Sequence, residues 1–238
     1  MQISGATALV TGANRGFGRA VAAELLARGA HVYAGARRPE TVDLADARAL
    51  AVDITDPDSI AAAAAAAHDV TILVNSAGSP PGADLLAGDL DAIRAEFDTH
   101  VFGTLAMTRA FAPVIEANGG GAVLNVLSVL SWYSVPDKGA YGAAKAAAWS
   151  MTNALRISLA PRGVWLGALH VGFIDTDMAA HETDPKLPAA EVARVAVDGI
   201  EANLAEILVD DVSRNVQAGL AGGVRALYPW FWASSELR

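Results

Sequence analysis

Tyr141 and Lys145 stand four residues apart in the run Tyr141-Gly142-Ala143-Ala144-Lys145. On a helix, that spacing stacks both side chains on one face. A phenol ordinarily titrates near ~10 and a lysine ammonium near ~10.4. A neighbouring ammonium favours the phenolate and draws the phenol toward working pH, which makes Tyr141 a usable proton donor and acceptor. Alone, the pair is a common coincidence. A second stretch could do different work: Thr11-Gly12-Ala13-Asn14-Arg15-Gly16-Phe17-Gly18 follows an apolar run and opens a helical one. Glycines permit a tight turn and let backbone approach a pyrophosphate, while a helix N-terminus offers N–H donors and the positive end of its dipole.

That turn points to a dinucleotide, and the end of the next strand decides which one. A site for NAD places an acid there, about 20 residues past the glycines, to accept from the ribose 2′-hydroxyl. Here the segment reads Ala34-Gly35-Ala36-Arg37-Arg38 and holds no acid. Guanidinium groups at Arg37, Arg38 and Arg15 suit a 2′-phosphate through charge-assisted, bidentate hydrogen bonds. NADP(H) is the expected cofactor.

These residues must be positioned by alternating strands and helices. Strands are expected at Ala6–Val10, His31–Ala34, Leu50–Val52, Val70–Val74, Ala122–Leu127, Val164–His170 and Ile207–Val209. Helices are expected at Arg19–Arg28, ended by Gly29, from Asp56-Pro57-Asp58 through the alanine run 61–67, over Asp91–Ala117 and over Tyr141–Leu159. The alternation implies βαβ units with right-handed crossovers. The expected fold is α/β: one doubly wound Rossmann domain over 1–238, with a seven-stranded, mainly parallel sheet and helices on both faces.

Composition excludes several classes of function. The chain has 238 residues, 53% of them hydrophobic, which suits one domain with a large core. Its net charge is −9, and no basic cluster exceeds Arg37-Arg38, so nucleic acid is not an expected partner. With no cysteine there is no disulfide or thiolate chemistry. The five histidines, His31, His68, His100, His170 and His181, never fall at metal-ligand spacing, so no metal is expected. The uncharged stretch 117–136 contains three consecutive glycines and several serines, so it reads as a loop and a buried strand rather than a membrane span. Without a leader-like N-terminus, the expected compartment is the cytoplasm.

Further motifs fall in order: Val52-Asp53-Ile54 after the third strand, Asn75-Ser76-Ala77-Gly78 after the fourth, Ser128 after the fifth, and Gly172-Phe173-Ile174-Asp175-Thr176 after the sixth. Together with the glycine turn and the Tyr141/Lys145 pair, they resemble the short-chain dehydrogenase/reductase family over roughly residues 5–212. The resemblance implies that Tyr141 protonates a carbonyl oxygen as hydride arrives, that Lys145 holds the nicotinamide ribose and lowers the Tyr141 pKa, and that Ser128 hydrogen-bonds the substrate oxygen. It also implies cofactor contacts: Gly12, Asn14, Arg15, Gly16, Phe17 and Gly18 at the pyrophosphate turn, Arg37 and Arg38 beyond the second strand, and Asp53 with Ile54 at the adenine. Asn75, Ala77 and Gly78 would lie under the cofactor, and Gly172, Ile174 and Thr176 at the carboxamide end. The implied activity is that of a carbonyl reductase or alcohol dehydrogenase using a small-molecule carbonyl or alcohol. An imine or enoyl reductase, or a non-catalytic cofactor-sensing protein on the same fold, remains open beside it.

The sequence departs from the family at named places. The long helix reads Asp98-Thr99-His100-Val101-Phe102-Gly103, with His100 where the family has an Asn that holds a water of the proton relay. Histidine can hydrogen-bond water and carry a proton near neutral pH, so His100 is expected to keep a relay role. Val171-Gly172 replaces the usual Pro-Gly and is expected to loosen that turn, and Ser76 replaces a second Asn. Ser131 lies closer to Tyr141 than the family pattern and ranks behind Ser128. Trp132, Tyr133 and Val135 could wall an apolar pocket beside Ser128, and 177–190 reads as a substrate lid. The aromatic tail 227–238, with Tyr228, Trp230, Phe231 and Trp232, could cover the core, cap a pocket or form an interface. Family members commonly form dimers or tetramers through the two long helices; the small residues Ala143, Ala144, Ala146, Ala147 and Ala148 permit that approach, and a tetramer is the expected state.

Overall fold

The computed structural model describes residues 1–80 and 82–233, the side chains of 232 and 233 excepted. Seven strands form one parallel sheet: β1 (Thr7–Thr11), β2 (His31–Ala36), β3 (Arg48–Ala51), β4 (Ile72–Asn75), β5 (Gly121–Val126), β6 (Val164–His170) and β9 (Glu206–Leu208), in the order β3-β2-β1-β4-β5-β6-β9. A two-stranded ribbon, β7 (Ile174–Asp175) with β8 (Leu187–Pro188), lies outside it and has no counterpart in the sequence reading. All seven expected strands are present, with ends shifted by up to two residues.

Side chains alternate across a strand, so neighbours on one strand bury against opposite layers. Val10, Val74 and Leu124 point into one core with α1 (Gly16–Ala27) and α6 (Ala189–Glu201). Leu9, Leu73 and Val123 point into the other with α2 (Pro57–Ala66), α4 (Thr104–Ala117) and α5 (Gly139–Leu159). Because both faces are covered, β1 and β4 read as unbroken apolar runs. The start of α2 is fixed locally: Asp56 accepts from the Asp58 N–H at 3.0 Å, and Pro57 sits in the first turn.

Two helices differ from expectation. The stretch expected as one helix from Asp91 is α3 (Leu90–Phe97) and α4, joined by a π-helical turn over Asp98–Gly103. Such a turn inserts a residue into the helical register and re-aims side chains, frequently at functional sites. Here His100 and Gly103 face inward while Phe102 is exposed. Gly103 is required: a Cβ would sit 2.9 Å from the Ile54 carbonyl oxygen. The second helix, α6, follows the expected lid. Beyond β9 lie α7 (Asp211–Gly219), α8 (Gly223–Leu227) and α9 (Pro229–Ala233). No helix among the described residues is long and apolar enough to cross a membrane.

Strand order reverses between β1 and β4, which opens a crevice above their C-terminal ends, the usual ligand position in sheets of this kind. The chemistry-bearing residues gather there.

Candidate active site

The crevice floor begins with Thr11, the last residue of β1. Its hydroxyl accepts from the backbone N–H groups of Ser76 and Ala77, each at 3.0 Å, and so ties the end of β1 to the segment after β4. Gly12 has φ +68, and a Cβ there would lie 2.9 Å from the Ala77 Cα; Gly18 packs so closely that a Cβ would meet the Gly12 oxygen. Gly16, at φ +55, faces the Thr176 methyl. Helix α1 starts at this turn with no acidic residue in its first turn and no side-chain cap, so no side chain of its own competes for its first N–H groups. The Phe17 ring is in the core, which leaves its backbone for the turn. Asn14 donates to the Thr41 hydroxyl at 3.0 Å and closes the turn against the segment beyond β2.

Arg37 and Arg38 emerge exposed past the end of β2. Arg15 is exposed and only loosely paired with Asp177, at 3.7 Å. Asp53 lies below the usual carboxylate range because the Thr55 hydroxyl and N–H donate to it, with Arg37 adding a smaller attraction. Ile54 is buried beside it and touches the π-turn at Gly103.

Beneath the crevice, a buried polar chain crosses the sheet. The Asn75 amide donates to the Asn125 side chain at 2.8 Å and to Thr108 at 3.1 Å, and Asn125 donates to Thr152 at 2.9 Å. These bonds link β4 and β5 to α4 and α5. Gly172 is held firmly. Its N–H donates to Asp210 at 2.6 Å, and Asp210 also caps α7, so the turn expected to loosen without proline is anchored from the neighbouring loop.

Ser128, Tyr141, Lys145 and His100 converge at the mouth of this crevice. Ser128 follows β5 and caps a short turn, accepting from the Leu130 N–H at 3.1 Å. Its side chain also lies near enough to the Tyr141 hydroxyl to favour the phenolate. Ser131 is buried with its Oγ unpartnered, and Tyr141 engages Ser128 instead. One turn along α5, the Lys145 ammonium sits 5.5 Å from the Tyr141 ring centroid and donates to the Val126 carbonyl at 2.8 Å. Burial pushes this amine down to about 8, against the attraction of Glu96.

The expected lowering of Tyr141 is not found. Burial pushes its hydroxyl upward, the Ser128 hydrogen bond offsets part of this, and the charge of Glu96 raises it further. The i, i+4 spacing correctly brings the pair together, but it sets the ammonium over the ring, with its proton given to a backbone carbonyl.

His100 is 3% exposed and meets the Tyr141 ring edge-on, with centroids 5.0 Å apart. Its Nε2 lies 3.2 Å from the Ser79 hydroxyl and 3.6 Å from Glu96, while its Nδ1 has no partner. Burial first, then repulsion from Lys145, hold His100 well below 6.5, so the ring is neutral. Gly78 makes room for it: a Cβ there would lie 2.9 Å from the imidazole.

Glu96 is the residue the sequence reading missed. It is buried, accepts from the Gly82 N–H at 3.2 Å, and is raised above the usual carboxylate range by burial, with Gly82 and Lys145 opposing. A glutamate four residues before a histidine on one helix was the available signal.

Around this centre, Trp132 is buried and its ring stacks on His170, with centroids 3.7 Å apart. Tyr133 stacks on Tyr228 at 5.0 Å, and the Tyr228 hydroxyl accepts from the Ser134 N–H at 2.8 Å, so the C-terminal arm packs on the loop before α5. Tail residues 234–238 and the Trp232 side chain lie outside the described residues. The segment expected as a lid is ion-paired to the same loop: the Glu182 carboxylate meets Lys138 at 3.1 Å. No grouping of metal-ligating side chains exists among the described residues.

A family model described as short chain dehydrogenase matches residues 6–187. A short chain dehydrogenase from Burkholderia cenocepacia J2315, solved in complex with NADP, is 37% identical with a TM-score of 0.93, and the match covers 98% of this chain and 100% of that one. A 3-ketoacyl-(acyl-carrier-protein) reductase from Brucella melitensis, complexed with NADH, is 26% identical with a TM-score of 0.80, covering 87% and 96%. The NADPH-dependent 1-acyldihydroxyacetone phosphate reductase of Schizosaccharomyces pombe is 33% identical over 178 residues, 71% of this chain. The chain spans 66%, 67% and 60% of the lengths of three curated relatives that it matches.

Proposed function

The chain belongs to the short-chain dehydrogenase family, and on that premise we propose that it is an NADP(H)-dependent oxidoreductase interconverting a small ketone or aldehyde with its alcohol. The observation that carries this reading is the convergence of Ser128, Tyr141 and Lys145 beside the crevice, with the Ser128 side chain favouring the Tyr141 phenolate and the Lys145 ammonium 5.5 Å from the Tyr141 ring. The crevice suits the cofactor: the glycine turn excludes side chains, and the uncapped start of α1 receives a phosphate. Gly12, Gly16 and Gly18 would admit the pyrophosphate. Arg37, Arg38 and Arg15 would hold a 2′-phosphate, and the Burkholderia relative's NADP complex supports that choice.

The bound cofactor supplies or accepts the hydride. In reduction, the Tyr141 hydroxyl gives its proton to the carbonyl oxygen as that oxygen gains negative charge, leaving an alcohol. The Ser128 hydroxyl donates a hydrogen bond to the same oxygen. Because Tyr141 is raised by burial, it is protonated at neutral pH and ready as the acid. Lys145 orients the ribose hydroxyls. His100, held neutral rather than charged near neutral pH as expected, would keep a relay role as a hydrogen-bonding ring; His100→Asn should then change the pH–rate profile, and an unchanged profile overturns that role. We also propose a homo-oligomer, since Ile157 on α5 is 77% exposed, and keep the cytoplasm as the proposed compartment.

Fluorescence titration of NADPH beside NADH, followed by a carbonyl panel with the preferred cofactor, tests the reading. Tighter NADPH binding with turnover upholds it. Equal affinities overturn the cofactor assignment, and binding without turnover on the panel overturns the carbonyl chemistry.

A further inference from the structure

His170 is the last residue of β6. It is fully buried, and the proposed chemistry makes no use of it. Both of its ring nitrogens face acceptors: Nδ1 lies 3.2 Å from the carbonyl oxygen of Ser128, and Nε2 lies 2.6 Å from the Glu206 carboxylate on β9. The ring is sandwiched rather than free, with Trp132 stacked on it at an interplanar angle of 16° and Trp149 edge-on to Trp132. Glu206 is braced in turn by the Trp149 indole N–H at 3.3 Å and by Arg156 at 3.4 Å.

A carbonyl oxygen only accepts, so the 3.2 Å contact at Nδ1 is a hydrogen bond when the proton sits on Nδ1. If Glu206 is ionised, it accepts from Nε2–H, and a ring that also bonds the Ser128 carbonyl donates from both nitrogens. If Glu206 holds the proton, it donates to Nε2, and the single ring proton must still sit on Nδ1. In either case Nδ1–H donates to the Ser128 carbonyl, whose other lone pair accepts from the Ser131 N–H at 3.0 Å. Burial works to raise Glu206, but its bonds from His170 and Trp149 keep it below the ordinary range, which favours a carboxylate that accepts at Nε2.

We propose that His170 and Glu206 form a positioning pair that pins the Ser128 carbonyl and thereby holds the Ser128 hydroxyl opposite Tyr141. Beyond the turn's own short-range bonds, its backbone is also bonded through the Val129 N–H to the Val171 carbonyl at 3.0 Å. A shift of that carbonyl would swing the hydroxyl away from the reacting oxygen. The inference rests on the role given above to Ser128, so its test has one arm in turnover and one outside it.

Two variants separate positioning from packing. His170→Phe keeps the ring on Trp132 and removes both N–H groups; His170→Asn places an amide N–H near the Nδ1 position and loses the bond to Glu206. For His170→Phe, kcat on carbonyl substrates is expected to fall about tenfold or more, with the KM for NADPH within about twofold. For His170→Asn, kcat is expected to return to within about threefold of wild type, at a melting temperature as low as that of the Phe variant. Unchanged kcat in the Phe variant, or equal losses in both, would overturn the proposal. The second arm is long-range 1H–15N spectroscopy of the His170 ring: a protonated Nδ1 is expected, and a bare Nδ1 overturns the pair. If wild type reduces no carbonyl, the parent reading fails by itself and the spectrum still decides this one.

Discussion

In the proposed chemistry Tyr141 is the proton donor, and its removal separates binding from proton transfer. Tyr141→Phe keeps the ring against His100 and Lys145 but deletes the donor. Its kcat should drop by roughly 10²–10⁴ while NADPH titrates as in wild type. The charge of Glu96 is the second lever. As a carboxylate it disfavours the Tyr141 phenolate and favours the Lys145 ammonium, so it moves both groups upward. Glu96→Gln removes that charge with little change of shape, and both titrations must then move down. Alcohol oxidation needs the phenolate, so the acid limb of its pH–rate profile should shift to lower pH. A limb that stays in place or rises would remove Glu96 from the electrostatics of the site. The Tyr141/Lys145 pair was legible because i, i+4 spacing fixes a shared helix face. The direction of the Tyr141 shift was not, because it is set by burial against His100 and by the charge of Glu96, which only the folded chain brings together.

At the scale of the element, the glycine turn works by close approach. A Cβ at Gly18 would press on the Gly12 oxygen, which is backbone and cannot yield as a side-chain tip would. Gly18→Ala should lower stability by about 1–3 kcal/mol and weaken NADPH binding with it, as read by thermal melting and fluorescence titration. The turn was readable because strand, glycines and helix follow in sequence. The π-turn at Asp98–Gly103 was not, because a helix with one extra residue keeps nearly the same apolar spacing, and its register is set by Gly103 resting on Ile54. Helix α6 was likewise unread, although Val192, Ala193, Ala196, Val197 and Ile200 mark one buried face at helical spacing. The anchoring of Gly172 by Asp210 joins residues 38 apart, a pairing that local sequence does not reveal.

For the whole molecule, the open questions are which surfaces face other copies and which face substrate. Of the five alanines expected to line a helix pair, Ala144 and Ala148 are buried within the chain itself, while Ala143, Ala146 and Ala147 are partly exposed. The outer face of α5 also carries Ile157, 77% exposed, an apolar side chain that a partner would cover. Placing a charge in such a contact leaves it unpaired and desolvated, which costs far more than the same charge in water. Ile157→Lys should therefore convert the expected oligomer to a smaller species in light scattering coupled to gel filtration, with the fold intact by circular dichroism. If the wild-type chain is already monomeric, or the variant assembles unchanged, α5 is not the contact. The C-terminal arm would then be the next surface to test, because Trp230 is also exposed there, on an arm that Tyr228 docks beside the catalytic loop.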